Sequence, residues 1–331
     1  MQIKFKIRAL QLKDTFSISY GNYTVRQSLL VELSHQSRKG YGECVAIDYY
    51  RIDLTGFIVK LEEIRTAVEA REITHPDEFF AFLLRLDLHP FLLSALDCAY
   101  WDLFGKLENK SFIELNRLPS DNLTESSITI SVDDINAQIR KIEKSSWKKF
   151  KVKCKGLNKD HIGELLQLNR DIALDSNTSF TDEDCIWLQN NPGVQRFSYL
   201  EQPRPVDCYK ILRKESFANW MADEDCQDLW SLEELVPYYK SVNIKLMKCG
   251  GLTPALRMIR KAKELGYKIM IGCMTESSVG ISAGSALAGL TDYADLDGAS
   301  LISNDDATGS FVDRGKIILS EKPGLGIELK K

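Results

Sequence analysis

Between Asn122 and Asp297 the chain repeats one pattern: a short run of β-branched and apolar residues, then an amphipathic helical stretch. The runs are SITISV, KFKVKC, DIALD, RFSYLE, NWMAD, VNIKLMK, YKIMIGCM and YADLD. The stretches between them cover 133–145, 159–169, 182–190, 207–215, 231–239, 254–265 and 279–289. At roughly 22–29 residues per unit the strands must lie parallel, because each crossover is too long for a hairpin and carries a helix. Eight such units favour closure over an open sheet. The expected class is α/β, a modified TIM-type (β/α) barrel over residues 121–309.

Residues 1–120 have another texture. Alternating segments at 2–10 and 27–34, with a short strand near Gly40–Cys44, predict an antiparallel sheet. Helical spacing follows over Leu54–Glu69 and Asp77–Leu86, and a third helix, SALDCAYWDLFGKL, follows Pro90. Together these predict an α+β N-terminal capping domain. The tail, 310–331, has a hairpin pattern ending PGLGIEL and is expected to pack back on that domain.

Composition narrows the partners. The 331 residues are 44% hydrophobic and 27% charged with a net charge of -4, a balance that gives no reason to expect nucleic acid or an anionic membrane as partner. The opening MQIKFKIRALQLKDTF alternates like a strand and has no apolar core of a secretory signal. No run approaches the roughly 18 apolar residues of a membrane span. Eight scattered cysteines without a C-x-x-C pair suggest neither a zinc site nor a disulfide framework. A cytoplasmic protein acting on a small molecule is the expectation.

In a β/α barrel the C-terminal strand ends share one mouth. Read in order, those ends carry Lys151 and Lys153, then Asp175 and Asn177, Glu201, Asp223 and Glu224, Lys245, and finally Asp295 and Asp297. Alternation puts residues two apart on one side, so Lys151 with Lys153, and Asp295 with Asp297, can both face the mouth. Asp175, Glu201 and Asp223 come from three successive strands, and three carboxylates so close need a cation among them. An all-oxygen site on rigid strands suits Mg²⁺, with Mn²⁺ an alternative. Taken singly, any of these acids is equally a solvated loop residue or a helix cap. Lys153 and Lys245 would stand on opposite walls. Crowding by Lys151 and a divalent cation is expected to lower a lysine's pKa, and two such bases flanking one α-carbon can remove a proton from one face and return it to the other.

The motifs Lys151-Val152-Lys153, Asp175-Ser176-Asn177, Glu201-Gln202-Pro203, Ala222-Asp223-Glu224 and Lys245-Leu246-Met247-Lys248-Cys249-Gly250-Gly251, with the ALDCAYWDLFGK helix, resemble the enolase superfamily in its muconate-lactonising-like subgroup. The resemblance covers essentially the whole chain. It implies metal binding by Asp175, Glu201 and Asp223 and acid/base roles for Lys153 and Lys245. It also implies that the 16–24 and 45–53 loops close over the mouth, and that Thr129 and the Cys273–Glu276 stretch line the substrate pocket. Asp295-Leu296-Asp297 is similar to the pair by which dipeptide epimerases hold a substrate's α-ammonium group, which a partly desolvated cation requires. By the same analogy the barrel self-associates.

The expected activity is thus Mg²⁺-dependent epimerisation of a dipeptide at its C-terminal α-carbon, through an enediolate. Neither 15–25 nor Cys273–Val279 contains a basic residue, so a small neutral or apolar C-terminal residue, as in Ala-Ala, is favoured. Arg26 or Arg51 reaching in would favour Ala-Glu instead. A lyase or cycloisomerase on the same fold would leave the aspartate pair without a cation to meet. A scaffold that had lost catalysis would not need both lysines.

Overall fold

The computed structural model describes residues 1–330. Three antiparallel strands open the chain: β1 (Gln2–Ile18), β2 (Gly21–His35) and β3 (Arg38–Val45). They run longer than their alternating cores predict, because β1 and β2 continue past a bulge at Gln11/Phe16 into a hairpin tip where Phe16 faces Tyr23. The segment expected as a loop at 16–24 is therefore this tip. Three helices follow: α1 (Leu54–Glu69), α2 (Pro76–Leu83) and α3 (Pro90–Glu108). Pro90 opens α3, where its missing N–H costs nothing, and Asn109 closes it in the left-handed region.

The sheet packs on α3 unusually closely. Gly40 and Gly42 lie on one face of β3, and a Cβ on Gly42 would sit 1.9 Å from the Ala95 carbonyl oxygen; on Gly40 it would sit 2.2 Å from that of Ala99. Small residues at i and i+4 of the helix meet glycines at i and i+2 of the strand, so the backbones themselves touch.

The eight parallel strands of the barrel are β4 (Ile128–Ile130), β5 (Lys149–Lys153), β6 (Asp171–Asp175), β7 (Leu200–Glu201), β8 (Trp220–Ala222), β9 (Ser241–Lys245), β10 (Lys268–Gly272) and β11 (Tyr293–Asp295). They pair in sequence order. A parallel bridge between Ser126 and Ala294, with Ser127 N donating to the Ala294 carbonyl at 2.9 Å, joins the first strand to the last. The helices pack outside against a continuous apolar core. Ala173, Tyr199, Met221 and Met270 fill part of the interior, so this is a packed barrel rather than a pore.

One expected helix is absent. Residues 207–215 form only a turn of 3-10 helix at Tyr209–Ile211. Asp207 is held at φ 66° with its N–H on the Asp225 carboxylate at 3.0 Å, and a left-handed residue cannot start an α-helix. Tertiary bonding to the loop after β8 overrides the apolar spacing there. At the tail, Phe311–Asp313 and Lys316–Ile318 form a hairpin, and Glu328–Leu329 pairs with Ala307–Thr308. Leu325 N donates to the α3 carboxylate of Asp102 at 2.8 Å, and Lys106 Nζ reaches the Ile327 carbonyl at 2.7 Å. Among the described residues no helix is long and apolar enough to cross a membrane.

Candidate active site

Strand register brings the polar residues to one level. Lys153 pairs with Asp175 and Asp175 with Glu201 on adjacent strands, while Gly272 lies between Lys245 and Asp295. A pocket opens at this end, lined on the barrel side by residues that include Thr129, Lys151, Lys153, Asp223, Lys245, Cys273, Asp295 and Asp297. Asp175 and Glu201 sit just beneath, 0% and 1% exposed. All ten residues singled out from the sequence therefore meet in one place. β5 and β9 are four strands apart in a ring of eight, so Lys153 and Lys245 face each other across the mouth.

The charges are locked together. Lys153 Nζ donates to Asp175 Oδ2 and, at 2.9 Å, to Asn177 Oδ1. Lys245 Nζ lies 2.6 Å from Asp223 Oδ2. Lys151 Nζ binds Asp295 Oδ2 and stands 3.5 Å from Glu201 Oε2. Burial would lower the pKa of Lys245, but Asp223 and Glu201 outweigh it and hold the ammonium well above its ordinary value. Burial likewise works against the Lys151 ammonium, and Asp295 with Glu201 outweighs it. For Lys245 the nearby acids outweigh both burial and the Lys151 charge; the depression expected beside a divalent cation concerns the metal-loaded site. Burial also opposes ionisation of Asp223, yet Lys245 and Lys248 keep it well below the carboxylate range.

At Glu201 the nearby lysines do not prevail. Burial, then the Asp175 charge, pushes its carboxyl up to about 8, and its Oε2 is buried without a hydrogen-bond partner. Among the described residues, no three Asp, Glu, His or Cys side chains yet converge on one point at ligand distance. Lysine ammoniums draw the oxygens aside. The donor set nevertheless fits a hard divalent cation: three carboxylates from successive strands, one with an orphaned oxygen and a repulsion that added positive charge would relieve.

Asp297 precedes a 3-10 turn at Gly298–Leu301 but makes no capping bond to it. Its Oδ2 instead accepts from Thr129 N at 2.7 Å, so the pair does not serve as a helix cap. Burial, then Asp295, raises the Asp297 carboxyl to about 6. Asp295 spends its oxygens on Ser127 Oγ, at 3.0 Å, and on Lys151.

The N-terminal sheet closes the pocket. Phe16, Ile18, Tyr20 and Arg26 from the β1–β2 hairpin, and Ile47 and Tyr50 from the segment after β3, complete its wall. Arg26 is 5% exposed, stacks 4.2 Å from the Tyr23 ring centroid and gives one Nη1 bond to the Ala46 carbonyl at 3.0 Å. Its Nε is buried without a partner. Arg51, the other basic residue considered, is exposed at the end of a short turn and does not line the pocket. A buried network fixes this sheet to the barrel: Glu43 accepts from Ser277 N at 3.0 Å and from Ser277 Oγ at 2.6 Å while paired with Arg8 at 2.8 Å.

Sequence reasoning placed Asn177 at the mouth but overlooked Tyr20 and Tyr50 as lining residues, and Lys248, which bonds Asp223. The tyrosines had no chemical signal before the cap was placed. Lys248, three residues after Lys245, did.

A parallel β/α barrel whose strand ends carry paired lysines and acids beneath an α+β cap defines a class of metal-assisted acid/base enzyme. The family described as "Enolase C-terminal domain-like" matches residues 134–331. A protein of Maribacter sp. named L-Ala-D/L-amino acid epimerase is 35% identical, with all of both chains covered. A dipeptide epimerase from Enterococcus faecalis, solved with Mg and L-Leu-L-Tyr, superposes with a TM-score of 0.86 at 26% identity, covering 98% of each chain. One from Cytophaga hutchinsonii, solved with Mg and D-Ala-L-Val, shares the fold with a TM-score of 0.90 at 22% identity, covering 100% of this chain and 96% of that one. The chain belongs to the enolase superfamily, in its dipeptide epimerase family, and is an enzyme of the isomerase class.

Proposed function

We propose that the protein is a Mg²⁺-dependent dipeptide epimerase that inverts the α-carbon of the C-terminal residue by two-base 1,1-proton transfer. In this reading residues 121–309 are the catalytic barrel, and residues 1–120 with the 310–331 tail are the cap. The observation that carries it is the placement of Lys153 and Lys245 on opposite walls of one pocket, each on a carboxylate of the same acidic cluster. Asp175, Glu201 and Asp223 hold the cation. When bound, Mg²⁺ (Mn²⁺ suits the same donors) supplies positive charge to the substrate carboxylate and relieves the two lysines of their carboxylate partners. One lysine, having first lost its proton to solvent, would take the α-proton as a neutral amine, while the other, still an ammonium, would give its own to the opposite face. Lys151 adds a fixed positive charge beside the substrate carboxylate, and Thr129 and Cys273 border the peptide.

Asp297, which accepts from Thr129 N and lines the pocket, faces the substrate's α-ammonium; Asp295 reinforces the negative charge there. The apolar cap residues Phe16, Ile18 and Ile47 support a neutral C-terminal side chain, as in Ala-Ala. Arg26 supports a second reading, because its unpartnered Nε in a buried wall is what a side-chain carboxylate would satisfy. Ala-Glu is then a substrate beside the neutral dipeptides.

Incubating a dipeptide library with the protein and Mg²⁺ in D₂O tests both by mass spectrometry. Gain of about one dalton in Ala-X dipeptides, lost with EDTA, supports the activity. Arg26→Met should abolish exchange of Ala-Glu and spare Ala-Ala. No exchange in any dipeptide, with metal bound, would turn the reading to hydroxy acids and lactones.

A further inference from the structure

The strand β9 ends at Lys245, and the four residues after it, Leu246–Cys249, wind into one helical turn. That turn sends Lys248 back beneath the strand ends, where it is 4% exposed. Its Nζ donates to three acceptors: the Asp223 carbonyl, Asp223 Oδ1 at 2.6 Å and the Asn243 carbonyl at 3.1 Å. An ammonium has three N–H bonds, so Lys248 has none left for substrate or solvent. The other oxygen of the same carboxylate, Oδ2, meets Lys245 in the pocket at 2.6 Å. The Asp223 backbone is fixed as well, its N–H donating to Gln202 Oε1 at 2.9 Å.

We infer that Lys248 is a positioning residue for Asp223: it holds Oδ1 inside the barrel wall so that Oδ2 alone is presented to the cation, next to Lys245. The inference rests on the proposed role of Asp223 as a metal ligand. Lys248 touches neither pocket nor substrate, and it acts through the carboxylate it holds. By binding the β8 end and the β9 carbonyl together, it also sets the distance between that ligand and the Lys245 base. A purely electrostatic role predicts the opposite effect on metal binding, since a buried cation beside a ligand repels the ion.

The test measures Mn²⁺ alone by electron paramagnetic resonance on the full-length protein and its variants. Lys248→Met should weaken Mn²⁺ binding by about 10–100-fold, the usual cost of losing a residue that orients a ligand. It should also change the line pattern of the bound ion, which a loss of folding stability does not alter in the folded fraction. Lys248→Gln, which keeps an N–H for Oδ1 without the charge, should recover most of the affinity. Binding in Lys248→Met equal to or tighter than wild type overturns the inference. If that variant does not fold, Lys248→Gln decides: a normal line pattern with modestly weaker binding supports positioning, and tighter binding overturns it. Asp223→Asn separates the two levels, because unchanged Mn²⁺ binding there removes the metal-ligand reading itself.

Discussion

Asp97 lies on α3, the helix of the N-terminal region that packs against the barrel, and Asp97→Asn should change how stability depends on pH. The carboxylate accepts from Thr253 N at 2.9 Å and Thr253 Oγ1 at 2.7 Å, at the start of the helix Leu252–Glu264. Trp101 Nε1 donates to the same hydroxyl at 2.8 Å. The group is 1% exposed, and the charge acting on it from nearby is another acid, Asp77. Burial, opposed only by the Thr253 and Leu252 bonds, pushes the carboxyl from 3.8 up to about 7.

A raised carboxyl pKa means the folded state holds the proton while the unfolded chain has lost it. Stability therefore falls as pH rises through the window from 3.8 to about 7. Between pH 5 and 8 the linkage amounts to about 2–3 kcal/mol, which Asp97→Asn cannot show because it does not titrate. The amide's extra buried donor costs about 1–3 kcal/mol, but equally at every pH, so it cancels in the difference. Urea unfolding of both proteins at pH 5, 6, 7 and 8 reads that difference directly. A wild-type-minus-variant stability that stays flat within about 0.5 kcal/mol, against the expected slope, would show that the helix start stabilises a charged Asp97 and that burial does not govern it.

Gly42→Ala places a Cβ 1.9 Å from the Ala95 carbonyl oxygen, so β3 and α3 must separate; overpacking of this kind costs about 1–3 kcal/mol or more, and an unchanged melting temperature would contradict the backbone contact. Lys153→Ala and Lys245→Ala should each lower turnover by at least about 10²–10⁴-fold. Each should keep α-proton exchange with one stereoisomer only, and full epimerisation by either would refute the two-base assignment. Asp297→Gly should weaken dipeptide use while leaving Mn²⁺ affinity in place. Unaltered dipeptide kinetics would remove the α-ammonium from the site.

Much of the site was legible because a barrel converts sequence order into position. Once the eight runs were read as strands, their last residues had to meet, whatever lay between them. Lys151, Lys153, Asp175, Glu201, Asp223, Lys245 and Asp295 all sit at those ends. The same logic failed at 207–215, where apolar spacing matched a helix but the Asp225 carboxylate holds Asp207 in a left-handed turn. Lysine basicity in the metal-free site was not legible, since sequence order names the neighbours without saying which charge prevails. Asp223 stands 2.6 Å from Lys245 and is the charge that does most to raise its pKa.

What the sequence determined by itself was the periodic part: parallel strands, crossover helices, the order of acids and lysines around the mouth, and an α+β region before them. Local period and strand alternation suffice for these. Only the tertiary structure decided that Arg26 enters the pocket while Arg51 does not, that Lys248 turns inward onto Asp223, and that Asp97 meets Thr253 from 156 residues away. Each depends on how one element lies on another, and side-chain direction across such a contact leaves no periodic trace in the chain.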